Sequence, residues 1–415
     1  MSGQRASAAR LLAAAFVLTT LAAQVSQAQT FNVIYNFDLQ TGQSPWSGPT
    51  MDRAGNLYGT TFNGGSSGNG IAYKLTRVGA GWIFTPLYSF AGGSDGAHPY
   101  AGITIGPDGA IYGATYYGGG SGCGLGCGTV YRLAPPPTTC NSTLCAWNET
   151  VLYRFNGGAD GALPFAAVAF DQAGNLYGTT LSGAGNGCGG NGCGIVYKLT
   201  RSGGNWTESI VHSFTGGADG ASPHAGLVVD SAGNLYGTTT LGGNYGYGVV
   251  FQMTPSGGGW NENVLYTFTG EADGGSPLSG LIFDSQGNLY GGSALDGSAP
   301  CKVYQLTPSG GGWNFTVLSS FTYEQGANCA RNLSFDNSGN LYGTTAGGGT
   351  YANGVVFELS PSGGSWTYTN LHEFTGGGDG EDSYSNIVFD SAGNLYGTAS
   401  LGGTHGAGVV FQLAP

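Results

Sequence analysis

One segment recurs seven times along the chain, and that recurrence constrains the fold more than any other feature. Asp52-Arg-Ala-Gly-Asn-Leu-Tyr58-Gly-Thr-Thr returns at 171–180, 230–239, 284–293, 336–345 and 390–399, and 106–113 is a degraded copy carrying Tyr112. The tyrosines Tyr58, Tyr112, Tyr177, Tyr236, Tyr290, Tyr342 and Tyr396 stand 52 to 65 residues apart. A repeat of that length, made of units too small to bury their own apolar faces, points to stacked β modules.

Each copy carries four strand signals. In the fourth they are 226–230, 235–239, 248–254 and 260–268, all rich in β-branched and aromatic residues and bounded by Gly, Pro, Asn or Ser. In order from the first, they are strands a to d. Strand d has its own rule: Trp82, Trp147, Trp206, Trp260, Trp313 and Trp366 each stand eight residues before a phenylalanine. A seventh strand d, 31–37, opens the chain after the leader, and the seventh copy stops after strand c. An N-terminal strand that completes the last module closes a ring and hides its edges. The expected fold is all-β: a seven-bladed β-propeller of four-stranded antiparallel blades, forming one domain over 29–415.

Composition agrees. Glycine supplies 82 of 415 residues and charged residues only 8%, which excludes coiled coils and polyelectrolyte tails. Residues 1–28 read as a secretory signal peptide, with Arg5 and Arg10 before an apolar run and Ser26-Gln27-Ala28 at the cleavage site. A secreted, extracellular or periplasmic location follows. Without the leader's two arginines the formal charge falls from −12 to near −14, which disfavours nucleic acid and anionic membranes. No membrane insertion is expected, and a monomer is.

The eight cysteines fit an oxidising compartment. Cys123 and Cys127 share a loop, as do Cys140 and Cys145, and Cys188 and Cys193; Cys301 and Cys329 remain. A four-thiolate zinc site from Cys123, Cys127, Cys188 and Cys193 is the alternative to disulfides.

The pattern GGxDGxxPxxGLxxDxxGNLYGTTxxGGxxGxGVVFxLT, read at 216–223, 230–239 and 248–251, resembles the GloVer-type tandem repeat of secreted bacterial proteins. The resemblance implies an exported propeller of largely unassigned activity. Members often end in a surface-anchoring segment; this sequence shows none, so release is expected.

The b–c and d–a loops share one face, called here the top, where binding loops belong. Five residues after the d–a loop aspartates come Tyr100, Phe165, His224, Leu278 and Tyr384, with Trp46 as the counterpart in the first blade. Inter-blade packing accounts for them; so does an aromatic platform for a sugar ring or an aromatic ligand. The aspartates themselves, Asp95, Asp160, Asp219, Asp273 and Asp379, organise Asp-Gly turns or form an acidic ring for calcium or a polyol. No EF-hand spacing supports calcium, and no cofactor is expected. The aspartates of the DxxGN turns read as hairpin acceptors.

Catalytic signals are weak. Gly64-Gly-Ser66-Ser-Gly68 matches GxSxG without the strand-to-helix setting it needs. His212 and His372 replace a strand tyrosine. Glu324, Arg331, Asp296 and Asp382, near the irregular sixth repeat, could serve a polysaccharide lyase or hydrolase. The sequence favours a non-catalytic module binding carbohydrate or a protein partner, with an extracellular polysaccharide- or lactone-acting enzyme as the alternative.

Overall fold

The computed structural model describes residues 29–136, 147–185, 187–295, 300–329 and 333–414. These form seven antiparallel sheets, one per repeat, in the order a–b–c–d from the centre outward. Blade 4 is typical: Val228–Val229, Leu235–Thr239, Val249–Ser256 and Gly259–Thr267. Blade 7 joins Val388–Phe389, Leu395–Ala399 and Val409–Ala414 to the N-terminal strand Thr30–Asn36, paired from Thr30↔Ala414 to Asn36↔Val409. The seven-bladed propeller and its closure by the first strand are therefore observed. Strand a is the departure from expectation: in blade 4, where five residues were expected, two form the ladder with strand b.

The DxxGN aspartates are hairpin acceptors, as the sequence indicated. Asp52 Oδ1 accepts from the amides of Ala54 and Asn56, both at 2.9 Å; Oδ2 accepts from Asn56 Nδ2 at 2.7 Å and the Tyr58 hydroxyl at 3.1 Å. Asp171, Asp230, Asp284, Asp336 and Asp390 repeat the pattern. Each turn thereby fixes a buried tyrosine. That tyrosine receives the next blade's tryptophan edge-on at five seams, among them Tyr58–Trp147, Tyr177–Trp260 and Tyr396–Trp82. The glycine after it is required too. A Cβ on Gly59 would lie 2.4 Å from the Tyr73 hydroxyl, because the strand-c ring lies across the strand-b backbone.

The seams come in two kinds. Two residues after the tryptophan, Phe84, Phe315 and Tyr368 hold aromatic rings. Phe84 stacks on Tyr35 at 4.4 Å and Phe315 on Tyr266 at 3.9 Å, each across a seam. Blades 2, 3 and 4 carry Glu149, Glu208 and Glu262 there instead. Each glutamate is half-buried, with Oε1 buried and lacking a partner among the described residues. Burial, and after it the charge of the preceding blade's Asp95, Asp160 or Asp219, pushes these three carboxyls up to about 7.

Three cysteine pairs are disulfides: Cys123–Cys127, Cys188–Cys193 and Cys301–Cys329. These thiols are bonded within or between neighbouring loops, which sets aside the zinc alternative. Cys140 and Cys145 lie outside the described residues, as does the leader.

Two outcomes follow. Phe31 stacks on His372 at 3.7 Å, Tyr35 on Phe84, and Phe37 is wholly buried. Deleting residues 30–37 should therefore cost on the order of 5 kcal/mol and expose the edge of Val409–Ala414; unchanged thermal melting of the truncated protein would refute the closure.

The second outcome concerns pH. Burial opposes ionisation of Asp52, Asp171, Asp284 and Asp390, but the hydrogen bonds outweigh it and hold these carboxyls below their ordinary value. Their stabilisation is present above about pH 4 and is lost as the pH falls further. Glu149, Glu208 and Glu262 act oppositely: folded, they hold protons more tightly than the unfolded chain does. Their contribution is complete below the ordinary glutamate value of 4.5 and is lost as the pH rises through about 7. Thermal stability should peak between about pH 4 and 5. The triple variant E149Q/E208Q/E262Q should lose the decline toward pH 8. A parent profile that is flat from pH 5 to 8 would contradict this account.

Candidate functional site: the central chamber

The first half of each inner strand leaves its neighbour. Near the top it touches strand b through Ala162–Pro164 and Ala327–Cys329 in blades 3 and 6, and through single bridges such as Ala97↔Tyr117 and Ala221↔Leu241. It rejoins strand b only at the short ladders lower down, such as Thr50–Met51 and Val228–Val229. At the departure point every blade carries a non-glycine residue in the left-handed region: Ser44, His98, Leu163, Ser222, Ser276, Asn328 and Asp382, with φ of 44–60°. Proline follows in five blades, at Pro45, Pro99, Pro164, Pro223 and Pro277, and has no amide to offer a ladder. A left-handed non-glycine residue costs about 1–2 kcal/mol, and here it recurs at the same place in all seven blades. The sequence signal is the repeated DGxxP; it was legible as a turn, and its backbone strain was not.

The detached segments enclose a chamber of about 350 Å³ on the propeller axis. Its waist is small: Gly48, Gly102, Ala167 and Gly226 line it. Below them come Thr50, Thr104, Val228, Ile282 and Ser334. The blades meet closely here. Thr50 Oγ1 donates to the Ile103 carbonyl at 2.5 Å, Thr104 Oγ1 to Val168 at 2.6 Å, and Ser334 Oγ to Ile387 at 2.6 Å. A Cβ on Gly48 would lie 2.3 Å from the Asn386 carbonyl oxygen.

The expected aromatic residues stand above the waist and touch in sequence. Tyr384 meets Trp46 at 5.1 Å; Trp46 stacks on Tyr100 at 5.3 Å; Tyr100 stacks on Phe165 at 4.1 Å; Phe165 meets His224 edge-on at 5.0 Å. They form an arc across blades 7, 1, 2, 3 and 4. Tyr100, Phe165, His224 and Tyr384 line the chamber, whereas Trp46 and Leu278 are not part of its lining. Ring faces that the sequence reading offered to a ligand are thus partly spent on one another. His224 Nδ1 lies 3.1 Å from the Ser222 carbonyl and 3.0 Å from Thr240 Oγ1, which fixes its ring. Asn328 Nδ2 donates to the Tyr384 hydroxyl at 3.0 Å.

The five d–a loop aspartates do not form a ring around this chamber; none lines it. Asp95 accepts from the Tyr88 hydroxyl and the Ala91 amide, Asp160 from Tyr153 and the Asn156 amide, and Asp273 from Tyr266 and the Thr269 amide. Asp219 and Asp379 pair with His212 and His372, which take the place of those tyrosines. Their own outer strands hold them, which is the turn-organising role. Among the described residues no three side chains of His, Cys, Asp or Glu converge as a metal site would need.

The catalytic candidates do not assemble. Ser66 is exposed and its hydroxyl meets that of Ser89, at 3.0 Å. Glu324 is exposed, and Asp382 is half-buried with its carboxyl raised by that burial. Asp296 and Arg331 lie outside the described residues.

The waist makes a sharp contrast testable. Gly48→Ala places a methyl against the blade 7 backbone and should destabilise by about 1–3 kcal/mol. In Gly102→Ala the nearest neighbour is Ser47 Oγ at 3.6 Å, an ordinary contact, and melting should be unchanged. Equal melting temperatures for the two variants would show that the blades do not meet at Gly48.

Comparison with known proteins follows the fold. No curated protein matches the chain. A solved candidate 6-phosphogluconolactonase from Bacteroides uniformis ATCC 8492 is 16% identical, with a TM-score of 0.50, over 79% of this chain and 84% of its own. A candidate oxidoreductase (glucose dehydrogenase) from Thermus thermophilus is 18% identical, with a TM-score of 0.44, over 76% and 96%. At such identities the likeness concerns the fold alone. The sequence itself says more: residues 19–190, 127–301 and 300–415 match the Gloeobacter/Verrucomicrobia repeat, and the chain belongs to that family.

Proposed function

We propose that the protein is an exported, non-catalytic propeller that binds carbohydrate in the central chamber beneath the aromatic arc. One observation carries the reading: an arc of Tyr384, Trp46, Tyr100, Phe165 and His224 stands over a chamber of about 350 Å³, within the usual range of small-ligand sites. Aromatic rings with hydroxyls beside them suit the alternating C–H faces and hydroxyls of a sugar. The leader-like 1–28 and the three disulfides support export.

The enzymatic alternative, a polysaccharide- or lactone-acting enzyme, has one observation in its favour. His224 brings an imidazole with a fixed ring orientation into the chamber wall, where a general acid or base would act. The Bacteroides propeller carries a lactonase name, which adds a substrate class to assay. Hydrolysis of a sugar lactone by the parent and its loss in His224→Gln would favour this reading over the first.

For the binding reading, a glycan array with the purified protein supplies the ligand. Tyr100→Ala should then weaken affinity by about tenfold or more, since one buried aromatic contributes on the order of 1–3 kcal/mol. Asp230→Asn should lower the melting temperature and leave affinity intact. Parent-like affinity in Tyr100→Ala would remove the chamber as the binding site.

A further inference from the structure

The polar groups of the chamber point to the class of ligand it takes. Among the described lining residues there is no Asp, Glu, Lys or Arg. The hydroxyls of Thr50, Thr104 and Ser334 have each given their one proton to a neighbouring carbonyl. A hydroxyl has one donor and two lone pairs, so what these three residues still present is acceptors. Asn386 donates one Nδ2 proton to the Pro49 carbonyl at 3.4 Å, which leaves its Oδ1 as a further acceptor beside its second Nδ2 proton.

Ser47 stands apart from this set. It lines the chamber, is only 7% exposed, and its Oγ has no hydrogen-bond partner among the described residues. The equivalent serines in blades 5 and 7 are satisfied: Ser279 Oγ donates to the Gly280 carbonyl at 2.9 Å and Ser385 Oγ to the Asn386 carbonyl at 2.5 Å. In the adjacent blade, the point where Gly102 would carry a Cβ lies 3.6 Å from Ser47 Oγ. A buried hydroxyl left unpaired is costly, and a group entering at the waist would relieve the cost.

We infer that the chamber selects a neutral, donor-rich ligand, a polyol or the terminal unit of an uncharged glycan, and that Ser47 is a binding residue at its waist. This rests on the chamber being the binding site. A carboxylated or phosphorylated sugar would meet no Lys or Arg among the described lining residues, inside a chain of strongly negative charge. A neutral ring offers hydroxyl protons to the lone pairs of Thr50, Thr104, Ser334 and Asn386, and it accepts from Ser47.

The test uses the purified full chain on an array in which each neutral hexose terminus is matched by its uronic acid. Glycerol and myo-inositol are titrated as free polyols, which separates a glycan terminus from a soluble polyol. Neutral probes should bind and their acidic partners should not. Ser47→Ala should weaken the best neutral probe by about three- to tenfold, with a melting temperature equal to or above that of the parent. A merely structural hydroxyl would not separate those two readouts in this way. Preference for acidic probes, or parent-like affinity in Ser47→Ala, overturns the inference. Loss of acidic-probe binding in Tyr100→Ala would still leave the chamber as the site. Neutral binding that neither Tyr100→Ala nor Ser47→Ala alters places the site elsewhere and removes both readings, as does failure of every probe to bind.

Discussion

The tyrosine after the DxxGN turn is the point on which the ring depends. Its hydroxyl is held by the turn aspartate, as in Tyr290 with Asp284 at 2.9 Å. Its ring sits between two side chains of the next blade. Tyr290 meets Phe335 of that blade's inner strand at 5.0 Å and Trp366 of its outer strand at 6.3 Å. One residue therefore transmits the geometry of a local turn to the neighbouring module. A solenoid could use the same contact, but seven such steps bring the last blade beside the first. The N-terminal strand then serves as strand d for blade 7 and presents Tyr35 to blade 1. That strand has Gln29 where the others have tryptophan; at the seam between blades 6 and 7, Phe31, in the register of Phe84 and Phe315, stacks on His372.

With the seams carried by the turn, the tyrosine and the outer strand, the first half of the inner strand need not extend the blade's ladder. It can leave strand b, adopt left-handed residues and face the axis. The same backbone device occurs in all seven blades, while the side chain that follows it changes from Trp46 to Tyr100, Phe165, His224, Leu278 and Tyr384. A scaffold that repeats and a position that varies is how a symmetric fold acquires an asymmetric pocket.

Much of this was legible because a period multiplies every signal. The seven copies showed the blades, the tryptophan–phenylalanine spacing showed the outer strand, and the offset between the chain's two ends showed the closure. The arc was legible as well: counting five residues from the DG aspartates reaches Tyr100, Phe165, His224 and Tyr384, with Trp46 as their counterpart in the first blade. What the sequence hid depends on contacts between blades. The d–a aspartates looked able to face the axis, yet Tyr88, Tyr153, Tyr266, His212 and His372 draw them outward. Glu149, Glu208 and Glu262 were visible as acids two residues after a tryptophan. Their burial beside Asp95, Asp160 and Asp219 appears only when one blade is set against the preceding one. Ser47 was invisible for the same reason: nothing local distinguishes it from Ser279 or Ser385, whose hydroxyls find partners.

The two departures from symmetry fall on the same part of the ring. The glutamates occupy the seams joining blades 1 to 2, 2 to 3 and 3 to 4, and those four blades carry Trp46, Tyr100, Phe165 and His224. Elsewhere an aromatic residue stands in the place of these glutamates. At the three acidic seams the half-buried carboxyl is comfortable only while it holds its proton, because ionising it beside an aspartate costs both desolvation and repulsion. The blades that shape the arc are thus joined by the ring's most titratable contacts. The chamber's described lining residues include no Asp or Glu, so these seam carboxyls stand outside its walls.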